Sequence, residues 1–283
     1  NKTGYFASFN SAQLPYIASH TGGYGLLVNG NIISMGASKN VLIRSGEDLI
    51  LQGSVDARGA GSTLTLQSDE WVYVEAKLKA TQALAVLGGY TSTSQVSAGS
   101  GADARGTSVY IQTTSELLTS EAGSSITVRG KQDVDVYGLV LAGGTYNSSG
   151  PVFALAAGNG GSSVDIEAGQ QVRLESGLLA SGNVRLAGGT PGADDNWNGL
   201  AMISDAQVQA DLRTRLGIDN PSATPAQIDA MVAVALPLAY NRLSVLINSA
   251  GGITAAGLGA AGAGSTATVQ AKGRAELMGT ITA

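Results

Sequence analysis

One short phrase returns along this chain and constrains it more than any other feature. An apolar-x-apolar step is followed by a small turn holding Gly or Ser, a second apolar-x-apolar step, a Gly or Ala, and a last apolar step ending in Ala. Val41–Ile43 leads through Gly46 to Leu49–Leu51, Gly53, Val55 and Ala57. Ile126–Val128 leads through Gly130 to Val134–Val136, Gly138, Val140 and Ala142. Val164–Ile166 leads through Gly169 to Val172–Leu174, Gly177, Leu179 and Ala180. Leu64–Leu66 continues to Val72–Val74, Leu78 and Ala80, and a weaker copy runs from Ala267 through Val269, Ala275, Leu277, Gly279 and Ile281 to Ala283. Alternation with period two identifies strands, not helices. Three strands fit into about 20 residues, too few for the strands and turns of a sandwich. Stacked coils about 4.8 Å apart need only such short strands. The expectation is an all-β fold, a parallel β-helix (β-solenoid). Each coil would hold about 20 residues and three short strands, with Val, Ile, Leu and Ala inside and Gly or Ser at the corners.

Interruptions in the repeat define the organisation. First-strand positions read at 41, 64, 109, 126 and 164 are separated by 23, 45, 17 and 38 residues, so the longer gaps contain excursions. Gly88–Gly89 and Gly143–Gly144 each precede the next strand by 20 residues and introduce Thr- and Ser-rich segments. This predicts loop excursions near 88–106 and 143–161, leaving the rod from equivalent corners. A third pair, Gly188–Gly189, opens a longer insertion. Ser204 begins one helical pattern that runs through Arg215 with Gly217 as its stop. Thr224, Pro225 and Gln227 form the start of a second, an N-cap, a first-turn proline and a capping-box partner. Pro237 is expected to kink or end that second helix. The division that follows is a lead-in at 1–23, coils at 24–189, a small helical insertion at 190–241, and further coils at 242–283.

Composition removes whole classes of function. The 283 residues carry a net charge of −5 and contain no cysteine and a single histidine, His20. A basic footprint for nucleic acid is therefore missing. No apolar run approaches the length of about 18 residues that a transmembrane segment needs. Thiol nucleophiles, disulfides and Cys-ligated zinc are impossible, as is a three-histidine zinc site within one chain. The 40 glycines lack a three-residue period, which excludes collagen. The chain begins at Asn1 with no signal-like segment, and the expectation is a piece of a longer polypeptide whose export signal lies elsewhere.

The units Ser163–Gly177 and Ser125–Gly130 resemble repeats of the filamentous haemagglutinin type, found in very large exported bacterial adhesins and in contact-dependent inhibition stalks. The resemblance covers most of residues 24–187 and 243–283 and leaves out the helical insertion. It implies an extracellular or cell-surface, rod-like segment and carries no catalytic residue with it.

The strand-borne acids Asp133, Asp135, Asp165, Glu167 and Glu175 all alternate outward, with Arg129 and Arg173. Aligned coils place Glu167 over Arg129 and Arg173 over Asp135, which are opposite-charge ladders. They do not form the acid pair that a polysaccharide lyase or hydrolase requires. No catalytic residue is therefore assigned. Asp194, Asp195 and Asn196 cluster oxygens suited to Ca²⁺ but lack the spacing of known calcium loops, and an Asp/Asn-rich turn is the plain reading. No other cofactor is expected. Candidate contact residues are Tyr90 and Tyr146 in the two excursions, with Trp197, Met231, Leu238 and Tyr240 in the insertion. The expected function is a non-enzymatic adhesin segment, with a protein or glycan on another cell or surface, or another copy of the chain, as partner. The alternatives are a repeat protein assembling into a filament or sheath and, third, a polysaccharide-acting β-helix enzyme.

Overall fold

The structure is a computed structural model. It describes residues 25–92, 95–97, 101–103, 106–145, 154–156, 158–189, 210, 213–214, 216–217, 220–240, 243–257, 264–271 and 273–283. Within these residues the chain winds through three parallel sheets. The first face stacks Leu26–Val28, Leu49–Leu51, Val72–Val74, Thr107–Ile111, Asp133–Val136, Val172–Leu174, Leu243–Ile247 and Arg274–Leu277. The second stacks Ile32–Ser34, Val55–Ala57, Lys77–Ala80, Glu116–Thr119, Leu139–Ala142, Gly177–Ala180, Gly252–Ala255 and Thr280–Thr282. The third stacks Asn40–Ser45, Thr63–Ser68, Ala83–Gly88, Ser125–Gly130, Ser163–Ala168, Val184–Gly188 and Ala267–Ala271. Eight coils form a parallel β-helix. At about 4.8 Å per coil the stack is roughly 34 Å long.

Register follows the inward apolar set, because a slip of one residue would turn that set out to water. Val41, Leu42 and Ile43 pair in parallel with Leu64, Thr65 and Leu66. Val172 and Leu174 are fully buried, between Val134 and Val136 on one side and Val245 and Ile247 on the other. Inward residues from all three faces merge into one apolar core running the length of the stack.

The corners explain the Gly and Ser of the repeat. Gly188 has ordinary backbone angles, but a Cβ there would overlap the carbonyl of Ser244 in the next coil. Gly189, one residue on, holds φ at +94°, a conformation that side chains disfavour. At the corner between the second and third faces, buried hydroxyls stack from coil to coil. Ser124 Oγ reaches Thr119 Oγ1 at 2.9 Å and Ser162 Oγ at 3.1 Å, and Ser162 N donates to Ser181 Oγ at 3.1 Å. These bonds satisfy polar groups that the turning backbone would otherwise bury unpaired.

Three details of the sequence reading are corrected. Val109 lies on the first face, paired with Val72 and Val134, so it does not continue the series of Val41 and Leu64. That series instead runs 41, 64, 84, 126, 164, 184 and 267 on the third face. The excursions accordingly do not share one corner. Those after Gly88 and Gly188 leave the end of third-face strands, and the one after Gly143 leaves the end of a second-face strand. Finally, Leu178 is the inward residue, paired with Val140, and Leu179 faces out over Leu141.

Of the insertion, the helix Pro225–Tyr240 is described along its whole length. Its start is as the sequence implies: Gln227 Oε1 accepts from Thr224 N at 2.8 Å, and Gln227 N donates to Thr224 Oγ1 at 3.4 Å. Pro237 does not end it; at that point only the last turn remains, so a single backbone bond is lost. Gly217 does not stop the preceding helical stretch either, since it is itself helical. Asn220, which is not helical, donates from both its backbone and side-chain nitrogens to Leu216 O. Arg213 pairs with Asp229 at 2.5 Å, joining the two helical pieces.

Candidate functional site

Parallel register stacks every outward residue on its counterpart one coil away, so surface chemistry here takes the form of ladders. On the third face Arg129, Glu167, Ala187 and Gln270 share one position, and Thr127, Asp165, Arg185 and Thr268 share another. Arg129 approaches Glu167 at 3.1 Å and Asp165 at 3.5 Å. Arg185 reaches Glu167 at 2.8 Å, Asp165 at 3.0 Å and, beyond them, Gln270 Oε1 at 3.1 Å. Two carboxylates therefore lie between two guanidiniums across successive coils. Glu167 points out of the coil yet is only 1% exposed. Burial, reinforced by the neighbouring Asp165 charge, raises its carboxyl to about 7 against the pull of both arginines. Tyr90 lies beside this ladder and senses both Glu167 and Arg129; its hydroxyl is pushed up to about 12, chiefly by burial.

Tyr90, a candidate contact residue from the sequence, is buried. It is 2% exposed and packs with Leu87 and Ala85, which seats the first excursion on the third face. The second excursion covers the second face in a similar way. Outward-facing Leu118 and Leu141 are buried, and a Cβ on Gly144 would strike both.

The first face carries an aromatic ladder. The rings of Tyr73 and Tyr110 stack 5.3 Å apart at 8°, and Tyr137 follows at 5.2 Å, tilted by 31°. Arg173 lies over the Tyr137 ring at 5.7 Å and donates from Nε to Glu175 at 2.6 Å. Ring faces are spent on one another and on the guanidinium; Tyr73 is buried, and Tyr110 and Tyr137 are partly exposed. Asp135 accepts from Thr107 Oγ1 at 3.2 Å, and burial raises its carboxyl.

A feature missed in the sequence reading sits at the corner between the third and first faces. Glu47 and Asp48 follow one third-face strand, and Asp69 and Glu70 follow the next, so coil stacking brings like charges together. Burial first, then Glu70, Glu47 and Asp103, raise the Asp48 carboxyl to about 8. The recurrence of an acidic pair just after Ser45 and Ser68 was the signal that could have revealed it. Because the folded state holds this proton more tightly than the unfolded chain, the stabilising effect is complete below about pH 4. It is lost as pH rises towards 8. Asp48→Asn is therefore expected to melt close to the parent at pH 4 and several degrees above it at pH 8.5, measured by circular dichroism. An offset that does not change with pH would contradict this.

Met231 is 36% exposed and Val234 70% exposed on the insertion helix, while Ile228 and Val232 are buried. Leu238 and Tyr240 belong to the same helix, but their side chains lie outside the described residues, as do Tyr146, Trp197, Asp194, Asp195, Asn196 and His20. Among the described residues no group of three or more His, Cys, Asp or Glu is placed to hold a metal ion, and no helix is long and apolar enough to cross a membrane. No family model, curated protein or solved structure matches the chain.

Proposed function

We propose that this chain is a non-enzymatic, rod-like segment of a secreted or cell-surface adhesin. The coil stack supplies reach, and the helical insertion supplies the principal contact with a protein or glycan on another cell or surface. The observation that carries this reading is how the core treats the insertion. Val172–Leu174 pairs with Val245–Ile247, and Val184–Gly188 with Ala267–Ala271, so the ladders continue in register across it. A solenoid coil buries its core against its neighbours. The inserted residues are thus not needed to close the stack, and they carry the exposed side chains Met231 and Val234. The resemblance of the repeats to those of filamentous haemagglutinin supports the same reading.

Those two exposed side chains also favour a second reading, in which copies of the chain associate through the helix into a filament or sheath. One experiment addresses both. Residues 191–240 are replaced by a short Gly-Ser link. Beads coated with intact or shortened chain are incubated with bacterial and epithelial cells, and self-association is followed by light scattering. The shortened chain should keep its β-rich circular dichroism spectrum and lose adhesion. Loss of self-association instead would select the filament. Adhesion unchanged by the deletion, or an intact chain that neither adheres nor associates, would overturn the contact role of the insertion.

A further inference from the structure

No further inference is drawn: the strongest candidate, the acidic corner of Glu47, Asp48, Asp69 and Glu70 between the third and first faces, is a carboxylate cluster for which the described residues supply no second observation that points to a ligand.

Discussion

Leu174→Asp is expected to lower the melting temperature drastically, whereas Glu175→Ala, one residue along the chain, is expected to leave it nearly unchanged. Leu174 is fully buried between Val136 and Ile247. A carboxylate there would have apolar neighbours above and below and no cation within the coil. Uncompensated buried charge costs on the order of 3–5 kcal/mol, much of the total stability of an ordinary domain. The effect should be felt beyond one residue, because each coil is stabilised mainly by the two that flank it. Opening the sixth coil would remove support from the fifth and the seventh. Glu175 is partly exposed and bonds to Arg173, which retains its contact with the Tyr137 ring. Losing such an ion pair costs within about 1 kcal/mol. Thermal melts followed by circular dichroism separate the two, and equal shifts would mean that the inward and outward positions are reversed.

Much of the coil architecture could be read from the sequence, and the places where reading failed have identifiable physical causes. The units beginning at Ile126 and Val164 were clear because Gly or Ser marks their turns and polar residues alternate with apolar ones. The third-face strand Ala83–Gly88 was passed over because its sequence, ALAVLG, is apolar at inward and outward positions alike. Without it, Val109 took its place in the series, which moved the apparent origin of one excursion to the wrong corner. The Leu178–Leu179 pair is ambiguous for the same reason: two leucines in succession carry no period.

The candidate chemistry divides along similar lines. Pairing of Arg129 with Glu167 and of Asp135 with Arg173 follows from alignment of coils, and the register contains both pairs. That Glu167 and Tyr90 would be buried could not be read locally. Tyr90, from the first excursion, senses Glu167 and Arg129 of later coils, a long-range relation with no signature in strand alternation.

That register is therefore the claim on which the ladders and the corner cluster both rest, and it can be tested directly in a chain that has no cysteine of its own. Ser125 and Ser163 are partners on the outer side of the third face, on adjacent coils and 38 residues apart in sequence. Their Cα atoms should lie about 4.8 Å apart, inside the range of about 4.4–6.8 Å that a disulfide spans. Ser125 and Asp165 lie two positions out of register, at roughly 8 Å, beyond the limit of about 7 Å. The measurement compares two double variants, Ser125→Cys with Ser163→Cys and Ser125→Cys with Asp165→Cys, under mild oxidation at low protein concentration. Intramolecular bonds are then counted by mass spectrometry of unreduced tryptic peptides. Rapid, near-complete bonding of the first pair and little of the second is the result that parallel coils in this register require. Preferential bonding of the second pair, or none in either, would contradict the coil stack.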